Sequence, residues 1–339
     1  MAQINKPTDY FNTVLYTGNG STQSITGVGF QPDWVWGKNR NTTNWHDLED
    51  VVRGVTKRLS SNETDAEATE TNNFTSFDSD GFSVGSGPNV NGSGNSIVVW
   101  NWLAGGTASS NTDGSITSSV SPNTTSGFSI VSWTGDGTDA TIGHGLSSAP
   151  TIYFVKNRTD TADWRVGQVL TSSNNMTDGN GYYLELNDTK ASTNPGSAVT
   201  WGATPTAPTS SVFTVGSNNA HNGSGDEMIA YCFHSVKGYS KMGSYTGNGS
   251  TDGTFVYTGF KPAFVMVKMT SSTGNWSMFD NKRSSFNVVD EMIKGNDSGA
   301  ELANSSRKID FNSSGFKIRA NHADINTSGG TYIYMCFAE

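Results

Sequence analysis

The stretch Asn91-Gly-Ser-Gly-Asn-Ser-Ile-Val-Val-Trp-Asn-Trp-Leu103 recurs without a gap as Asn222 to His234 and as Asn326 to Ala338. Within it hydrophobic residues alternate. Val98, Trp100 and Trp102 match Ile229, Tyr231 and Phe233, and these match Ile333, Met335 and Phe337. A period of two with one strongly apolar face specifies an antiparallel strand lying on a core.

Working back from each closing strand, the same order of landmarks appears three times. Each copy opens on a turn phrase: Tyr16-Thr-Gly-Asn-Gly-Ser21, Trp133-Thr-Gly-Asp-Gly-Thr138 and Tyr245-Thr-Gly-Asn-Gly-Ser250. Thr17, Thr134 and Thr246 are 117 and then 112 residues apart. That period is too long for a solenoid rung and suits a domain that buries its own core. Asn-Gly and Asp-Gly favour tight turns with positive φ. A proline follows (Pro32, Pro150, Pro262), then an apolar strand, then a lysine (Lys38, Lys156, Lys268), then a tryptophan (Trp45, Trp164, Trp276). The lysines read as solvated caps of the strand. A variable middle carries most of the charge and one expected helical turn, Leu48 to Leu59. An aromatic segment then leads into the closing strand.

Short strands separated by turn signals at this frequency predict an all-β fold of three tandem antiparallel β-sandwich, jelly-roll-like repeats. The expected boundaries are 1–104, 127–236 and 237–339, with the Gly/Ser/Thr-rich stretch 105–126 as a linker. The shorter second joint, Ser235 to Lys241, suggests a fixed orientation between copies two and three, with copy one set further off. Three copies also raise the idea of a pseudo-threefold arrangement.

Composition narrows the function. Charged residues make up 15% of the 339, and the net charge is −9, with no basic stripe, so nucleic acid is not an expected partner. No run approaches the roughly 20 apolar residues that span a membrane, and no apolar leader follows Met1, so neither insertion nor a secretory signal is expected. Cys232 and Cys336 occupy one position in two copies and read as small strand residues rather than a disulfide pair.

The residue types that perform catalysis do not form a pattern. The sequence holds no His-x-x-x-His, Cys-x-x-Cys or nucleophile-elbow motif, and no carboxylate recurs in all three copies. A glycan hydrolase would need two carboxylates across the scissile bond. Trp45, Trp164 and Trp276 offer two readings, a shared packing role or stacking on sugar rings. Asp50-x-x-Arg53 and Asp280-x-x-Arg283 recur in copies one and three, either as loop-fixing ion pairs or as ligand contacts. No cofactor is expected; Asp78-Ser79-Asp80-Gly81 is the one stretch that could contribute to a calcium loop.

The phrases TGNGSTQSITGVGFQPDWVWGKNR, IGHGLSSAPTIYFVKNR and GYSKMGSYTGNGSTDGTFVYTGFKPAFVMVK resemble repeat domains in structural proteins of marine tailed phages, over about residues 5–339. The resemblance implies a concanavalin- or laminin-G-like jelly roll, a virion location reached from the host cytoplasm, and other virion proteins as partners. It implies a non-enzymatic structural role of tail-fibre or receptor-binding type, with adhesion to host glycan. Capsid decoration is the alternative, and a glycan hydrolase a more distant one. A homo-oligomer is expected, a trimer being one form.

Overall fold

The computed structural model describes residues 3–179, 181–196, 200–303 and 306–339, and its regular structure is almost wholly antiparallel sheet. Each copy is a two-layer sandwich. In the first, an inner sheet runs in the order Phe11–Thr17, Ser96–Trp102, Trp34–Asn39, Asp47–Asp50. Its outer sheet is Gln23–Thr26, Gly81–Val84, Phe74–Asp78. The other copies repeat this plan around the central closing strands Glu227–Phe233 and Thr331–Ala338.

The opening phrase is held to the closing one by a single side chain. Asn91 donates Nδ2 to Ser21 O, Gly85 O and Asn19 Oδ1, while its own Oδ1 accepts from Asn19 N. Asn326 makes the same set with Ser250, Ala320 and Asn248. The chain passes so close here that a Cβ on Gly18, Gly135 or Gly247 would lie 2.2–2.3 Å from a carbonyl oxygen of the closing phrase. Only glycine permits that approach.

The alternation in the closing strands has a consequence that one sandwich alone would not give. Ile97 and Val99, with Phe74 and Phe82, fill the interior of the first sandwich. Cys232 with Ala230, and Cys336 with Tyr334, do the same in the second and third, and both thiols are free. The opposite face is buried too. All nine residues that mark the repeat, from Val98 to Phe337, belong to a fourth core built by the three inner sheets together. Trp102 and Phe337 meet at 5.7 Å and Phe233 and Phe337 at 6.0 Å between ring centroids, from one position in all three copies. Trp34 stacks on Tyr231 at 4.4 Å.

The copies close as a ring, each variable middle reaching the next copy. Glu67 N donates to Arg158 O, Ser192 N to Thr270 O and Glu301 N to Arg40 O. Copy one therefore touches both neighbours and is not set apart. Residues 105–126 are not a free linker: Ser109–Asn111 and Ser118–Asn123 extend the second inner sheet to seven strands, pairing through Val120 with Val131. The stretch Leu48 to Leu59 is not helical but forms an antiparallel bridge between those two leucines.

Candidate functional site

The seven candidate positions separate sharply by exposure. Trp164 and Trp276 are fully buried in the shared core. Each donates Nε1 across a junction at 2.8 Å, Trp164 to Ser60 O and Trp276 to Glu185 O. Neither can meet a ligand. In the first copy the equivalent position is His46, not Trp45. His46 Nε2 faces Lys294 O at 3.1 Å, and Nδ1 accepts from Trp36 Nε1 at 2.8 Å. Those partners fix the proton on Nε2. The exchange has a local cause: Trp36 brings a buried N–H that requires an acceptor, whereas its counterparts Phe154 and Met266 do not.

Asp50–Arg53 and Asp280–Arg283 are also buried, with Nε to Oδ2 at 2.5 Å in both. Each pair meets a donor from the next copy. Tyr231 Oη donates to Asp50 at 2.7 Å, and Trp100 Nε1 donates to Asp280 at 3.1 Å. Glu67 and Glu301 continue the networks to Arg53 and Arg158, and to Arg283 and Arg40. These pairs tie copies together.

The three lysines are not solvated. Lys38, Lys156 and Lys268 are wholly buried at the junctions. Lys156 donates to Asn157 O, Ala162 O and, across the junction, Thr64 O. Lys268 likewise reaches Met269 O, Gly274 O, Thr189 O and Lys190 O. Burial pulls the amines down, Lys38 and Lys156 to about 8 and Lys268 to about 7. The carbonyl oxygens around each Nζ favour the protonated form.

Trp45 alone of the seven is accessible, at 43%. Its ring lies between two hollows of about 250 and 330 Å³. Thr43, Asn44 and Ser298 line one, Glu70, Asn72 and Asn73 the other, and Asn89 both. The Arg58 guanidinium sits over one face at 4.7 Å, a cation–π contact that holds the ring upright. Asn44 donates to Asn89 Oδ1 at 3.0 Å, and Asn89 donates to Asp47 Oδ1 at 3.0 Å. Beneath them Asp47 and Glu49 are buried, and burial raises both carboxyls. The accessible arrangement is an aromatic surface framed by amides and one carboxylate.

Asp80, the calcium-loop candidate, spends its carboxylate on Gly27 N and Gly29 N at 3.1 and 2.7 Å. Among the described residues no three His, Cys, Asp or Glu side chains converge as metal ligands.

One family model matches residues 6–339, a span containing all three copies and the ring they close. The chain belongs to the family described as domain of unknown function DUF7483. No curated protein matches it. The family boundary coincides with the four-core assembly rather than with a single sandwich.

The sequence reading missed Arg58 and Asn89, which only folding brings to Trp45. A signal for the offset existed: Trp45 follows Lys38 by seven residues, whereas Trp164 and Trp276 follow Lys156 and Lys268 by eight.

Proposed function

We propose that this chain is a non-enzymatic structural protein of a tailed-phage particle that contacts host surface glycan through the Trp45 groove. The observation that carries the adhesive part is the exposure of Trp45 on a rigid sheet scaffold, while its sequence counterparts are sealed. A flat ring stacks on the apolar face of a sugar, and amide and carboxylate groups around it take the hydroxyls. Glu70, Asn72 and Asn89 stand where such hydroxyls would be. The virion setting is supported by the resemblance of the repeat phrases.

Capsid decoration is a second reading, favoured by the ring of three like modules, whose shape suits a threefold position on a particle. Glycan-array binding by the full chain and by Trp45→Ala tests adhesion: binding lost in the variant, with its melting curve unchanged, is expected. Equal binding by both overturns the groove, and reducing-end release from polysaccharide overturns the non-enzymatic assignment. Immunogold labelling of particles at one vertex is the expected result for a tail component; labelling over the head would replace it with decoration.

A further inference from the structure

The internal repeat supplies a control for every surface position, and the outer sheet of the third module departs from it. Ile25, Ile142 and Val256 are equivalent, pairing with Phe82, Phe213 and Phe316. Their strand neighbours point to the opposite face of the sheet. In the first module these are Ser24 and Thr26, in the second Thr141 and Gly143, and in the third Phe255 and Tyr257. Phe255 is 46% exposed and Tyr257 68%. The first module folds with small exposed residues here, so folding does not call for the two rings. In the second module the connecting segment covers the positions, Ser115 N bonding to Thr141 Oγ1 and Ser118 Oγ to Gly143 O.

The strands beside them change as well. Across the first module's outer sheet the row reads Ser24, Ser83, Ser76, and Ser24 and Ser83 bond to each other at 2.9 Å. The same row in the third module is Phe255, Lys317, Asp310. Lys317 pairs with Asp252 at 2.5 Å, and Arg319 with Asp310 at 3.3 Å. Two cations and two carboxylates cancel. The face thus offers aromatic rings and many hydrogen-bonding groups with no net charge.

We propose that this face is a binding platform for a neutral polysaccharide, with Phe255 and Tyr257 as stacking rings. Two residues apart on one strand face, Phe255 and Tyr257 have Cα atoms roughly 6.6 Å apart, so both rings can meet one extended sugar chain. Exposed ring faces take the sugar C–H surfaces. Lys317, Arg319, Asp310 and Asp252 take hydroxyls. A neutral ligand fits because an anionic or cationic one would have to break the balanced ion pairs. Phe255–Tyr257 is also the edge strand of its sheet, so a chain longer than the platform can run off it. The platform is independent of Trp45, which belongs to the first module.

Affinity electrophoresis of the full chain through gels containing laminarin, hydroxyethylcellulose or alginate tests this. Retardation by a neutral polysaccharide is expected in a Trp45→Ala background, which removes the first module's groove, and is weakened at least tenfold when Phe255→Ser/Tyr257→Thr is added. The double variant carries the residues of the first module, and a melting curve verifies its fold. Lys317→Ser keeps both rings and is expected to weaken retention severalfold. The proposal is overturned by no retardation in either neutral gel, by retardation in alginate alone, or by equal retention of the ring and lysine variants. A fall in sedimentation mass on removing the rings would also overturn it, by making the face a contact between copies.

Discussion

The Tyr231 hydroxyl of the second module donates to Asp50 Oδ2 of the first at 2.7 Å, and Arg53 Nη2 donates to the Tyr231 hydroxyl oxygen at 3.1 Å. The third junction-to-first equivalent uses the Trp100 indole on Asp280. At the remaining junction the corresponding residues are Gln168, Thr171 and Met335, with Gln168 Nε2 bonded to Thr171 Oγ1 at 2.9 Å. Methionine there has no proton to give, and none of these three positions carries a charge. Where an Arg–carboxylate pair is buried, the neighbour supplies a donor, as the desolvation of a carboxylate requires.

Removing that donor should expose the dependence. Tyr231→Phe leaves a buried carboxylate one hydrogen bond short and is expected to cost about 1–3 kcal/mol. Installing the neutral set Asp50→Gln, Arg53→Thr and Tyr231→Met should recover part of the loss. Urea unfolding of the single and combined variants measures the coupling, and simple additivity would count against it.

The tryptophans should divide by depth. Trp164→Ala or Trp276→Ala opens a cavity and drops a cross-junction hydrogen bond, at a cost of about 3–5 kcal/mol. Trp45→Ala should remain within about 0.5 kcal/mol of the parent. Denaturant midpoints at constant slope make the comparison.

His46 predicts an acid sensitivity. Burial and the nearby Lys38 charge lower it to about 3, against about 6.5 in the unfolded chain. Between these values the unfolded state binds more protons, so stability falls as pH drops from 6.5 toward 3. Against His46→Gln, which keeps an acceptor for Trp36, the parent should lose up to about 1.4 kcal/mol per pH unit in that window. Parallel pH profiles would refute the assignment.

A core shared by three modules should couple their unfolding. Tryptophan fluorescence and far-UV circular dichroism should trace one coincident transition. Residues 127–236 expressed alone would bare Ile130, Phe154, Trp164 and Tyr231, and are expected to aggregate. A soluble, monomeric fragment with a cooperative transition would show that the central core is dispensable.

Much of this was legible in the chain. Three copies, their strands and the apolar faces of the closing strands follow from period-two patterning and turn residues, because strand geometry is local. Even Gly18, Gly135 and Gly247 are visible as constants. Tertiary structure alone decided what each face meets. Alternation marks Trp100, Tyr231 and Met335 as buried but does not name the surface that covers them, and that surface proved to be the neighbouring modules. The same contacts turned Lys156 and Lys268 inward, since carbonyls from another copy complete their hydrogen bonds, whereas the equally buried Lys38 bonds to Asn39 O and Thr42 O of its own copy. They also placed His46 where a tryptophan was expected, because a donor at Trp36 needed an acceptor. Burial at a junction depends on residues more than a hundred positions away, and no window of sequence contains them.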